Sequence, residues 1–141
     1  MKEEFPLVIK RQAVKLKKLK FDWEIDSYYE KGNYPMYAQE ESNNYNGREW
    51  NEYEQDEQFS APTVTLALRW LREVHRIWIH SFILNKGEWD FVVTLLTKDH
   101  NDSKRMFNDR GKASKSYDES DSKGLDFALD YMLGMPKKNK K

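Results

Sequence analysis

The chain has three histidines, at positions 75, 80 and 100, and no cysteine. The histidine spacings fit no metal-ligand signature, and the lack of thiols excludes thiolate metal sites, disulfides and cysteine nucleophiles. The six glycines are scattered through turns, so there is no Gly-rich phosphate loop and no G-x-S-x-G nucleophile turn. Carboxylates are plentiful, but none stands in an apolar context that would raise its pKa for acid–base work. The expectation is therefore a protein without catalytic residues, cofactor or metal.

What remains is recognition chemistry. Arg69, Arg72 and Arg76 recur at i, i+3 and i+7, a spacing that stacks three guanidinium groups on one helix face, where they could grip phosphate or carboxylate bidentately. Glu73 interleaves with them and offers the alternative of pairing within that face. Trp50 and Tyr53 lie among Glu54, Asp56 and Glu57, a mixture in which aromatics anchor a basic partner and carboxylates steer it; the alternative is a solvated insert or a segment folded back on the basic N-terminal helix. Lys15, Lys17, Lys18 and Lys20 form a basic cluster suited to nucleic-acid phosphates, and Lys137, Lys138, Lys140 and Lys141 form a basic tail. His75 and His80 read as residues of apolar faces, packed with a hydrogen-bonded ring.

Charge bears on these candidates by segment. The 141 residues carry 24 basic and 24 acidic side chains and no net charge. Yet residues 1–20 hold seven Lys or Arg against two Glu, residues 21–60 hold two against eleven, and residues 136–141 add four Lys. The balance thus hides a basic start, an acidic middle and a basic tail. With 38% apolar and 14% aromatic residues, the chain can bury a core despite a mean hydropathy of −0.97, and it reads as one ordinary domain over residues 1–135, with a disordered tail over 136–141. No signal segment or bilayer-length apolar stretch is visible, so no membrane contact and a cytoplasmic location are expected.

Periodicity supplies the elements that position the candidates. Residues 8–19 read as a helix with Ile9, Ala13 and Leu16 on one face, with a strand through Val14 and Leu16 as the competing reading. Phe21, Trp23 and Ile25 alternate with Asp22, Glu24 and Asp26, as in a half-buried strand reaching about Tyr29. Tyr34 to Tyr37 fit a short edge strand pairing back. Residues 40–59 contain no aliphatic residue and read as a polar, acidic loop. Ser60-Ala61-Pro62-Thr63 marks the start of a helix with Val64, Ala67, Leu68 and Leu71 inward, ending near His75. Residues 77–84 are apolar on both faces, as in a central strand; a turn at Asn85-Lys86-Gly87-Glu88 leads to a partner strand opened by Trp89, Phe91, Val93 and Leu95. Residues 99–117 read as a second polar loop. A last helix, capped by Ser120 or Asp121, carries Leu125, Ala128, Leu129 and Met132 and stops at Gly134. The fold class is α+β, about three helices on a small, mostly antiparallel sheet of three or four strands.

Ala61-Pro62-Thr63 followed by Arg69-Trp70-Leu71-Arg72-Glu73-Val74-His75 resembles a motif of uncharacterised small proteins encoded by phages, prophages and gut bacteria. In them an APT helix start, a WLREVH helix end, a β-hairpin and a final helix occur in that order. Gln12-Ala13-Val14-Lys15-Leu16 with Phe21-Asp22-Trp23 looks like their first element, and Tyr117-Asp118-Glu119-Ser120 looks like the approach to their last. Lys20 departs from the pattern, standing where a helix-ending Gly is expected; so do Gly124, Asp126 and Asp130, in place of a Glu/Ala-rich pattern. The resemblance implies a phage-type accessory protein and carries over no catalytic residue. The expected function is a non-catalytic interaction protein binding a host protein, as monomer or homodimer; a nucleic-acid-binding module is the alternative.

Overall fold

A computed structural model describes residues 6–37, 50–51, 57–84, 87–96, 103–107 and 113–134. The order is α1 (Lys10–Lys18), β1 (Ser27–Tyr29), β2 (Met36–Tyr37), β3 (Phe59–Ser60), α2 (Val64–His75), β4 (Ile77–Ile83), β5 (Trp89–Leu96), β6 (Ser103–Phe107) and α3 (Tyr117–Met132). The class is α+β as expected, but the strands divide between two antiparallel three-stranded sheets, ordered β2-β1-β3 and β4-β5-β6. Within the span expected to form one domain, the chain makes two compact units, Leu7–Thr63 and Val64–Lys141 with Met1–Pro6.

In the first unit α1 buries Gln12, Ala13 and Leu16. Ile9, expected on that face, is 43% exposed because it precedes the helix; its N–H donates to Gln12 Oε1 at 3.0 Å, so Gln12 turns inward. The helix closes with Lys20 N–H on Lys17 O at 3.0 Å and Phe21 N–H on Leu16 O at 3.0 Å, the doubly bonded end that requires a left-handed residue between. Lys20 supplies it at φ 70°. Phe21 and Ile25 are buried and Asp22, Glu24 and Asp26 exposed, so the expected alternation holds although the ladder is confined to Ser27–Tyr29. Of the edge strand expected at Tyr34 to Tyr37, only Met36–Tyr37 forms, with Tyr28 opposite Met36. Phe59 and Ser60, expected in the acidic loop and the helix start, form the other edge.

The second unit runs α–β–β–β–α. Helix α2 buries Val64, Ala67, Trp70 and Leu71 and packs against β4 and α3. It ends at His75; Arg76, at φ 60°, turns the chain into β4 within a single residue. The expected hairpin pairs Ile77 with Leu95 through Ile83 with Trp89, and Gly87 takes φ 78° in the turn. Among the described residues strand β5 is central and β4 is an edge, which corrects the central position expected for residues 77–84. The expected loop at 99–117 contains β6, whose polar residues Lys104 and Arg105 befit an edge strand. Helix α3 begins earlier than expected, capped by Ser116, whose Oγ accepts from Glu119 N–H at 3.1 Å. Leu125, Ala128 and Leu129 are buried as expected, joined by Phe127 and Gly124. At Gly124 a Cβ would lie 2.6 Å from Ile79 Cγ2 and 3.3 Å from the Phe91 ring, so the missing side chain sets how closely α3 approaches the sheet.

Candidate functional site

Of the acidic-segment candidates, Tyr53, Glu54 and Asp56 lie outside the described residues, as do residues 136–141, and Glu57 is exposed. Trp50 is not a surface anchor. It is 7% exposed, its Nε1–H donates to Ile25 O at 2.9 Å and its ring stacks on Tyr28, with centroids 3.9 Å apart. Asn51 holds the same segment by donating to Phe21 O and accepting from Ser60 N–H. An indole can serve as core or as contact, and sequence neighbours alone do not distinguish the two.

The Lys cluster divides likewise. Lys17 donates to Gln58 O at 3.0 Å and lies 5.0 Å from the Phe59 ring centroid, which ties α1 to the residues entering β3. Lys15 is half-buried, and Lys18 and Lys20 are exposed.

The three arginines do not form one helix stripe. Arg69 pairs with Glu73 one turn along, and that hydrogen bond and charge raise the guanidinium pKa further. Arg76 stands beyond the helix end, its carbonyl accepting from Leu96 N–H at 3.0 Å. Arg72 remains on the exposed side of α2, its guanidinium 5.1 Å from the centroid of Trp78, within the range of a cation–π contact. Trp78 is 47% exposed.

Strand alternation explains why. Ile77, Ile79 and Ser81 face the helices, with Ile79 against Gly124, so Trp78 and His80 point to the opposite face. His80 is exposed, correcting the packed position expected for it. On that face Trp78 lies opposite Thr94, and Thr94 opposite Arg105; Arg105 is exposed. His75 does pack, edge-on to Trp70 at 4.7 Å. Burial lowers its pKa, and its buried Nε2 has no hydrogen-bond partner among the described residues.

One cluster escaped sequence reasoning. Ser81 Oγ donates to Asp121 Oδ1 at 2.6 Å and lies 2.9 Å from Ser120 Oγ, all three residues being buried. Burial raises the Asp121 pKa, the Ser81 hydrogen bond opposes the rise, Asp118 adds to it and His80 opposes it. This is a buried carboxylate with a raised pKa, against expectation. The available signal was Ser81, the lone small polar residue on the inward side of β4. Among the described residues no group of three or more His, Asp or Glu could hold a metal ion, and no helix is long and apolar enough to cross a membrane. No family model matches the chain, and none of the curated proteins or solved structures compared with it is similar.

Proposed function

We propose that the chain is a non-catalytic interaction protein, a phage-type accessory of the kind its sequence resemblance implies, and that it binds a host protein through the surface centred on Arg72 and Trp78. The observation that supports this reading is the exposed pair itself: a guanidinium held 5.1 Å from the centroid of an indole that is 47% exposed. Trp and Arg are the residue types that dominate binding energy at protein interfaces. The contact with the indole limits the rotamers of Arg72, so less freedom is lost when its N–H donors meet a carboxylate. The matching partner surface presents an acidic group beside an apolar one. The acidic residues between 40 and 58 add long-range steering toward basic regions of such a partner.

The test is affinity capture from host lysate on immobilised wild type and on an Arg72→Ala/Trp78→Ser variant, with and without nuclease. Both side chains are solvent-facing within the chain, so the variant keeps the wild-type circular dichroism spectrum. The expected result is a nuclease-resistant protein retained by wild type and reduced at least tenfold on the variant. Equal retention by the two removes this surface from the proposal. The nucleic-acid reading draws on the exposed Lys18 and Lys20; retention abolished by nuclease and falling steeply with salt would favour it.

A further inference from the structure

Strand β4 reads Ile-Trp-Ile-His-Ser-Phe-Ile, with no Lys, Arg, Asp, Glu, Pro or Gly in seven residues. That is the composition of a strand with neighbours on both sides, yet among the described residues β4 ends its sheet. Edge strands that remain open carry charges, prolines or bulges that discourage further pairing. The opposite edge, β6, has Lys104 and Arg105; β4 has no such device.

The hydrogen-bond phase shows what the open edge offers. Leu96 N–H donates to Arg76 O, and Leu84 N–H to Glu88 O. With Trp78 opposite Thr94, His80 opposite Val92 and Phe82 opposite Asp90, the even-numbered residues of β4 spend their main-chain groups on β5. The N–H and C=O groups of Ile77, Ile79, Ser81 and Ile83 point the other way, where no strand among the described residues pairs with them.

We propose that a second copy of this chain covers that edge: two β4 strands pair antiparallel about a two-fold axis at His80, and two three-stranded sheets become one of six strands. His80 is the midpoint of Ile77–Ile83, and only a register centred there pairs every outward-facing residue. Ile77 then bonds with the partner's Ile83, and Ile79 with the partner's Ser81. His80 faces the partner's His80 as a non-hydrogen-bonded pair, and Trp78 faces the partner's Phe82. A register centred on Ser81 would leave Ile77 beyond the partner strand. The contact is isologous, so it closes at two copies. The chain's formal net charge of zero imposes no overall repulsion between copies, and Ile83 at 60% and Trp78 at 47% exposed gain apolar cross-strand neighbours. The strand that is an edge in one copy becomes central in the pair, which accounts for its composition.

The absence of cysteine makes a direct test available. In this register the two residues 80 are about 4.5 Å apart at Cα, within reach of a disulfide, whereas the two residues 83 are six positions out of register, about 20 Å apart. Light scattering over a concentration series should show a dimer for wild type. His80→Cys should convert to a covalent dimer on mild oxidation, and Ile83→Cys should cross-link at least tenfold more slowly. His80→Lys, at an exposed position, should raise the dimer dissociation constant at least tenfold while leaving the folded spectrum unchanged. Wild type that stays monomeric at about 200 μM overturns the proposal. So does equal cross-linking at positions 80 and 83, or a folded His80→Lys variant that dimerises as wild type does.

Discussion

Asp121 is held where its charge is disfavoured. It accepts from Ser81 at 2.6 Å, yet burial keeps its carboxyl pKa above the ordinary carboxylate value. A folded-state pKa above the unfolded one means the protonated form favours folding: that contribution is complete below the unfolded value, about 3.9, and is lost as pH rises through the folded value. Asp121→Asn keeps an oxygen acceptor for Ser81 and removes the charge. Its melting temperature should exceed that of wild type by roughly 2–5 °C at pH 7, and the difference should shrink toward pH 3, as followed by thermal circular dichroism. A variant less stable than wild type at pH 7 would mean that the charge-assisted hydrogen bond from Ser81 outweighs the cost of burial. Trp50 belongs to the same scale. Its acidic neighbourhood in sequence suggested a surface anchor, but its indole N–H is satisfied by Ile25 O and its ring by Tyr28.

Elements were more legible than single side chains. The α2 pattern and the β4–β5 hairpin were readable because helical spacing, an APT start and a Gly-containing turn act over a few residues. Strand β6 was not, since an edge strand carrying Lys104 and Arg105 has the composition of a loop. The start of α3 was misplaced because Ser120 and Asp121 are capping types used inside the helix, while Ser116 does the capping. At the end of α1 Lys20 adopts φ 70°, a conformation that favours glycine. A left-handed conformation costs a non-glycine residue about 1–2 kcal/mol, partly offset by the greater unfolded-state freedom of glycine. Lys20→Gly should therefore stabilise the fold by about 0.5–1 kcal/mol, measured as a higher urea midpoint with an unchanged denaturant slope; a lower midpoint would refute the strain argument.

For the whole molecule the boundary at Thr63 and Val64 matters most. The segment from Val64 holds α2, the β4-β5-β6 sheet and α3, and with them Trp70, Leu71, Ile77, Phe91, Val93, Leu125 and Leu129, all buried. Val64 N–H also bonds outside the segment, donating to Pro6 O at 2.9 Å. A fragment of residues 64–141 should show the circular dichroism of mixed helix and strand and unfold cooperatively on heating. Absence of a cooperative transition would show that this unit needs the rest of the chain. The net charge of zero is likewise a property of the whole that conceals its parts. Arg69 is spent on Glu73 and Lys17 on Gln58 and Phe59, while Arg72 is held over an exposed Trp78.

The sequence by itself determined the α+β class, the α2 helix, the β4–β5 hairpin and the burial of Leu125, Ala128 and Leu129 in α3, because these follow from periodicity and turn chemistry within short stretches. Tertiary structure decided that the strands form two sheets, that β4 is an edge, that Trp50 is core and that Ser81 meets Asp121. The last two outcomes depend on contacts between residues 25 and 40 positions apart in the chain, and the first two on which strands pair. Loop closure adds little penalty for choosing one distant partner over another, so the choice is made by which surfaces fit and which polar groups find partners, and neither is written in local spacing.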